Sequence, residues 1–225
     1  YFLLKIIFYK NKKNFDIWYI SSPDTISSFF LLLLAKLNKK KIIYEVRDVW
    51  PLSLTIFKTQ QISFFYKIIE KMELFNHKNS NFILYTPSQY EKRNREFHIK
   101  TQSFNIYGYY ENFDIQKQKF IDKNLLRLVY VGYFNDASAP YFILNAIKSL
   151  EKKGYSQFEL NLIGHGPLYS KLKEKFKTSQ LIHFIDLKRE TLAEEIIKSS
   201  DIGIINYNNS DILRYGISPR KLFLY

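Results

Sequence analysis

The sequence contains no cysteine, which excludes both a disulfide framework and a thiolate zinc site and suits a reducing compartment, with cytoplasm as the default. Metal chemistry has little else to stand on. The 4 histidines, His77, His98, His165 and His183, are scattered without metal-ligand spacing, and no Asp-x-Asp pair is present to hold a divalent ion on a diphosphate. Neither a P-loop nor a G-x-G-x-x-G fingerprint occurs, so a P-loop ATPase or an ordinary dinucleotide enzyme is disfavoured. The unbroken apolar stretch from Ile26 to Ala35 is about half of what crosses a bilayer, which argues against a transmembrane span. The opening residues read as no signal-peptide pattern either, because Lys5 and Lys10 interrupt the apolar letters and no small-residue cleavage site follows. Tyr1 is not an initiator methionine and Tyr225 falls a few residues into a starting helix, so both ends read as cut and the chain as a fragment.

Present in quantity are apolar and basic residues. Within 225 residues, 46% hydrophobic and 18% aromatic side chains suffice for a packed core in one large or two small domains. The formal charge of +13 predicts a surface that attracts anions, whether nucleic acid, acidic headgroups or phosphorylated substrates.

One stretch organises the rest. In Lys41 to Ser53, KIIYEVRDVWPLS, the run Ile42, Ile43, Tyr44 and Val46 suits a strand buried on both faces of a parallel sheet. Pro51 ends the ladder. Arg47, Asp48 and Trp50 then fall at the C-terminal end of the strand, the edge where open α/β sheets place ligands. The competing reading is structural: an Arg47–Asp48 pair that ties a loop down beside a space-filling Trp50.

The remaining chain alternates strand and helix. Phe15 to Ser21 reads as a strand, and Pro23 with Asp24 or Thr25 starts a helix over Ile26 to Leu37. That helix is either buried or lies in a membrane interface with Lys36, Lys39, Lys40 and Lys41 toward headgroups. A helix over Ile62 to Phe75, a strand over Asn81 to Thr86, a charged helix capped by Ser88 and a strand over Thr101 to Ile106 complete one βα array. Gly108 to Lys123 reads as a linker. A second array then begins, with strands over Leu126 to Val131, Phe158 to Ile163, Ile182 to Ile185 and Ile202 to Tyr207. Its helices cover Pro140 to Leu150, Leu168 to Phe176 and Thr191 to Ser199. The division predicted is 1–112 and 113–225.

Glycines stand at the strand ends of the second array. Gly132, Gly164 and Gly166 would let backbone amides approach a ligand, although plain tight turns explain them nearly as well. In GISPRK, Gly216 allows close backbone approach, Ser218 can cap a helix and Pro219 fits its first position. Arg220 and Lys221 in that first turn oppose the helix dipole, so they make most sense beside a bound anion such as a diphosphate; the alternative is an ordinary helix start with solvated basic residues.

The segment YEVRDVWP resembles the E-V-R-D-x-W-P signature of family-four glycosyltransferases of bacterial surface polysaccharide biosynthesis. GISPRKLF is similar to a G-x-S-P-x-K-L segment of the same branch, LVYVGYF to its domain-opening strand, LIGHGP to its I-G-x-G-P turn and SSDIGI to its A-D-I-x-I strand. The resemblance runs in order from Phe15 to Tyr225. It implies an α/β fold of two Rossmann-like domains facing each other across a cleft, the B-type glycosyltransferase fold. It also implies metal-independent transfer of a sugar, with retention, from a nucleoside-diphosphate sugar to a lipid-linked or saccharide acceptor. Asp48 with Arg47 would then be catalytic, and Trp50 and Pro23 would bind acceptor. Gly132, Gly164, Gly166, Gly216, Ser218, Arg220 and Lys221 would bind donor. No cofactor is implied beyond the nucleotide sugar, and no nucleic acid. The location implied is cytoplasmic, peripheral on the inner face of the membrane and in contact with its anionic surface.

Three departures from the family pattern stand out. Arg47 occupies the place of a histidine common in relatives, Gly216 and Leu224 stand where two glutamates are expected, and Ala139-Pro140 replaces a lysine-glycine pair. These departures leave room for a non-catalytic glycosyltransferase-like partner subunit. The charge and aromatic content leave room for a basic nucleic-acid-binding module, though no recognition motif supports it.

Overall fold

The computed structural model describes residues 14–22, 24–53, 64–106, 124–186, 190–217, 219 and 221–225. Pro23, Ser218, Arg220 and the linker read at 108–123 lie outside the described residues. The chain divides into two compact units, Tyr1–Gly108 with Asn209–Ser218, and Tyr109–Asn208 with Pro219–Tyr225. A single boundary at 112/113 does not capture this division, because Asn209–Ser218 is bound into the first unit. There the Gln89 N–H donates to the Tyr215 carbonyl at 2.9 Å, and the Tyr215 hydroxyl donates to Glu96 at 2.5 Å.

The first unit runs β1 (Ile17–Ser22), α1 (Thr25–Leu37), β2 (Lys41–Val46), α2 (Phe64–Asn79), β3 (Phe82–Tyr85), α3 (Glu91–Glu96) and β4 (Ser103–Asn105). Its four strands are parallel in the order β1-β2-β3-β4. Right-handed crossovers that always advance in one direction place their helices on one face of such a sheet. That face carries Ile20, Ile42, Tyr44, Val46, Ile83 and Tyr85, packed with Leu32 and Ala35 of α1. Full burial of a side chain such as Leu32 contributes about 1.5–3 kcal/mol. On the opposite face the register aligns Tyr19, Ile43 and Phe82, and Tyr19, Phe82 and Phe104 are exposed.

Asp24 caps α1, its Oδ1 accepting from the Ser27 N–H at 2.7 Å. The helix buries Thr25, Ser28, Leu32 and Ala35 along one stripe and exposes Ile26, Phe30 and Leu37. Ser88, by contrast, does not cap α3. The chain first turns through Pro87–Tyr90, where the Tyr90 N–H donates to the Pro87 carbonyl, and the fully buried Tyr90 side chain fixes where the helix starts.

The second unit runs β5 (Leu126–Tyr133), α4 (Pro140–Lys152), β6 (Phe158–His165), α5 (Tyr169–Phe176), β7 (Ile182–Ile185), α6 (Glu190–Lys198) and β8 (Ile202–Gly203), with α7 (Lys221–Leu224) at the end. Its sheet is parallel in the order β7-β6-β5-β8. From β5 the chain moves outward through β6 to β7 and then returns to the other side of β5. The strand order therefore reverses between β5 and β8, the arrangement that opens a ligand crevice at the C-terminal strand ends. Tyr130, Phe134, Leu144, Leu160 and Leu162 form the core. β8 is shorter than the strand expected over Ile202 to Tyr207. The Tyr225 hydroxyl accepts from the Val131 N–H at 2.9 Å and donates to the Ile204 carbonyl at 3.3 Å, occupying groups that a longer ladder would pair.

Candidate functional site

Candidate residues gather at the C-terminal strand edge of each sheet, and each edge is built by its own unit. In the first unit β2 ends at Val46 and leads into a turn over Arg47 to Trp50, closed by the Trp50 N–H donating to the Asp48 carbonyl at 3.1 Å. Val49, 1% exposed, anchors the turn in the core, while Arg47 and Asp48 face solvent. The Thr86 hydroxyl, just past β3, donates to the Arg47 carbonyl at 2.9 Å. Among the described residues the Asp48 carboxylate makes no hydrogen bond and no ion pair, so the Arg47–Asp48 tie offered as a structural explanation is not formed. Partial burial raises the Asp48 carboxyl above the ordinary aspartate value, and the Arg47 charge pulls in the opposite direction. Trp50 is half-buried, with its indole N–H enclosed and without a hydrogen-bond partner among the described residues.

Beneath this turn lies a polar cluster that the sequence did not announce. Arg93 of α3, its side chain 4% exposed, places Nη2 at 2.6 Å from Glu73 Oε2 and donates from the same nitrogen to the Trp50 carbonyl at 2.9 Å. The Tyr90 hydroxyl donates to Glu73 Oε1 at 2.6 Å and lies 3.2 Å from His77 Nε2. Burial alone would lower the Arg93 guanidinium, but the Glu73 carboxylate against it more than offsets that and holds it above its ordinary value. Burial, helped by the Arg93 charge, lowers His77 to about 3, so it is neutral at physiological pH. In the sequence these residues look like a charged helix surface. The one available signal is the i, i+4 spacing of Glu73 and His77, which puts both on one side of α2.

In the second unit Gly132 and Gly164 pair across β5 and β6. Gly164 has φ of +143°, and a Cβ built there would lie 1.9 Å from the Gly132 carbonyl oxygen, so this approach requires glycine. Lys221 supplies the charge at this edge. Its Nζ lies 4.4 Å from the Tyr130 ring centroid and 5.3 Å from that of Tyr207, and 3.5 Å from a Cβ built on Gly132. No carboxylate pairs with it among the described residues, and burial lowers its pKa to about 8.

The expected donor residues are thus distributed unevenly. Gly132, Gly164 and Lys221 belong to the strand edge of the second unit, and Gly166 packs against the Phe134 backbone. Gly216 lies in the first unit, where the space its missing side chain leaves is taken by Ser88, 2.2 Å from a Cβ built there. The first helical residue is Lys221 rather than Pro219. Among the described residues no group of three or more His, Asp or Glu side chains is placed to hold a metal.

No family model matches the sequence, and no curated protein matches it. Solved structures do. Sucrose-phosphate synthase of Thermosynechococcus elongatus superposes with a TM-score of 0.64 at 16% identity, over 93% of this chain and 55% of that one. HepE of Anabaena in complex with UDP gives 0.62 at 8% identity, over 89% and 55%. The lipopolysaccharide outer core galactosyltransferase WaaB gives 0.59 at 13% identity, over 91% and 54%. The fold is therefore that of B-type glycosyltransferases, an α/β fold of Rossmann-like units, and the chain spans about half the length of these neighbours.

Proposed function

We propose that the protein is part of a glycosyltransferase that moves a sugar from a nucleoside-diphosphate donor to a lipid-linked or saccharide acceptor in bacterial surface polysaccharide biosynthesis. One observation carries this reading: Lys221 is a half-buried ammonium without a carboxylate partner among the described residues, held over the glycine-lined end of β5 where the strand order reverses. A cation in that setting has its desolvation offset when an anion binds beside it, and a diphosphate is the anion this reading assigns to it. HepE, which shares the fold, has been solved with UDP and with UDP-glucose.

In the proposed reaction the bond between the anomeric carbon and the diphosphate oxygen breaks, and an acceptor hydroxyl oxygen bonds to that carbon on the same face. The acceptor proton leaves to a carboxylate, a role this reading assigns to Asp48, which has a raised pKa and makes no hydrogen bond or ion pair among the described residues. Lys221 neutralises charge developing on the leaving diphosphate without requiring a metal. Arg47 and Trp50 flank the acceptor position. Membrane attachment is part of the same reading, because α1 exposes Ile26, Phe30 and Leu37 beside Lys36, and α2 opens with Phe64 and Phe65 exposed. No helix among the described residues is long and apolar enough to cross a membrane.

Calorimetric titration with nucleoside diphosphates tests the donor half. Binding that weakens about tenfold or more in Lys221→Ala supports it, since a charge-assisted bond is worth roughly 1.5–3 kcal/mol. Equal binding by wild type and variant removes Lys221 from the site.

A further inference from the structure

The buried charges under the acceptor-side turn call for an explanation that stability does not supply. Withdrawing a guanidinium and a carboxylate from water costs several kcal/mol per ion, and an apolar pair of similar volume often does as well or better. Arg93 and Glu73 are nonetheless 4% and 1% exposed at their side chains, with Glu70 at 3.8 Å from the same guanidinium. A guanidinium provides several directed bonds from one rigid plane together with two flat faces, which no apolar side chain can. Arg93 uses both. Nη2 bonds Glu73 and the Trp50 carbonyl, while the guanidinium carbon lies 4.7 Å from the Phe97 ring centroid and 5.4 Å from that of Tyr215.

We propose that Arg93 is a positioning residue for the acceptor side, fixing the Asp48-bearing turn through the Trp50 carbonyl and tying that turn to the returning segment through Tyr215. The inference rests on the glycosyltransferase reading for its functional meaning, and on the geometry alone for its mechanical part.

The turn is held at two points that flank Asp48. On one side the Thr86 hydroxyl bonds the Arg47 carbonyl, and on the other Arg93 bonds the Trp50 carbonyl. Among the described residues the Asp48 carboxylate takes no part, so it stays available while its backbone is fixed. Glu73 orients the guanidinium, and the Tyr90 hydroxyl occupies the second oxygen of that carboxylate. The returning segment is tied to the same helix by Gln89 N–H to Tyr215 carbonyl, by Tyr215 hydroxyl to Glu96 and by Arg214 to Glu96 at 2.7 Å. α3 and the turn leading into it thereby bind both the Asp48 turn and the segment that carries the chain toward Lys221.

Two variants test the proposal. Arg93→Lys retains the charge opposite Glu73 but loses the planar fork; Arg93→Met with Glu73→Gln removes both charges, so no buried ion is orphaned if the first variant fails to fold. Amide hydrogen exchange across Arg47–Ser53 reads the turn directly, and turnover is measured beside it. The expected result in whichever variant folds is exchange about tenfold faster in that segment, unchanged in the β5–β7 sheet. Turnover should fall about 10- to 100-fold with donor KM within about twofold of wild type, the pattern of a misplaced reacting group. Unchanged exchange across Arg47–Ser53 in a folded variant overturns the proposal. Faster exchange with wild-type turnover also overturns it, because the turn would then be held for stability alone. A wild-type protein that transfers no sugar while the variants still loosen the turn would instead refute the glycosyltransferase reading and leave the mechanical role standing.

Discussion

Lys221 holds its ammonium 4.4 Å from the ring centroid of Tyr130, with Tyr207 on a second side at 5.3 Å. Both rings favour the charged form by about 0.5–2 kcal/mol each. Desolvation nevertheless wins, and the pKa falls to about 8. The free site is therefore half-neutral near pH 8, and a bound diphosphate would restore the proton. Affinity for a nucleotide sugar, whose diphosphate does not titrate in this range, is expected to be level below about pH 7 and to weaken by up to about tenfold per pH unit above 8, the slope of one linked proton. Lys221→Met should be weaker throughout and flat. A wild-type profile that is flat from pH 6 to 9.5 would contradict this placement.

His77 predicts the acid limb of stability. Its ring is buried against Tyr44 and Tyr90, with Arg93 and Glu73 beside it, and its pKa is lowered to about 3. The unfolded chain takes up this proton near 6.5 and the folded protein does not, so the contribution is fully present above about 6.5 and is lost as pH falls toward 3. The slope is about 1.4 kcal/mol per pH unit for one proton. Denaturant unfolding of His77→Phe should show an acid limb shallower by that one proton. An unchanged limb would mean that His77 charges without unfolding.

Gly164→Ala should be among the most damaging single-methyl additions in the second unit. The new Cβ would meet the Gly132 carbonyl oxygen at 1.9 Å, in a backbone conformation that L-residues rarely adopt. A loss of about 1–3 kcal/mol is expected from the strained conformation alone, with the clash adding to it. Thermal unfolding measures it, and a variant as stable as wild type would show that β5 and β6 part easily at this edge.

Membrane attachment is tested by sedimentation with anionic vesicles. The exposed Ile26, Phe30 and Leu37 of α1 and the neighbouring lysines predict binding that falls with salt, because surface charge contacts are screened beyond about 8 Å at physiological ionic strength. Binding should drop further when Lys36, Lys39, Lys40 and Lys41 become glutamine. Binding insensitive to both changes removes the electrostatic part of the reading.

The regular parts of the fold were legible because they depend on local pattern. The β-branched and aromatic run Ile42 to Val46 is the strand it looks like, with Arg47 and Asp48 at its end, and the alternation of strand and helix yields two parallel sheets. What sequence could not reveal depends on partners distant in the chain. Ser88 has the chemistry of a cap, but the burial of Tyr90 sets the helix start. Ile202 to Tyr207 has the composition of a strand, but the Tyr225 hydroxyl takes its ladder partners. Gly216 looks like a ligand-facing glycine, and its space is filled by Ser88. Glu73 and Arg93 read as solvated charges because nothing local shows that they meet across 20 residues and enclose one another.

Sugar transfer dependent on Asp48 tests the central claim most directly. Wild-type protein and Asp48→Asn are supplied with a panel of labelled nucleotide sugars and membrane-extracted acceptor lipid, and label in the acceptor is followed alongside thermal unfolding. The account predicts transfer by wild type with the donor's anomeric configuration kept. It further predicts a loss of about 10²–10⁴-fold in turnover for Asp48→Asn at an unchanged melting temperature, since the carboxylate makes no hydrogen bond or ion pair among the described residues. A destabilised but fully active variant would contradict the role of Asp48. A wild-type protein that transfers no sugar from any donor, and binds nucleic acid more tightly than any nucleotide sugar at physiological salt, would contradict the account as a whole.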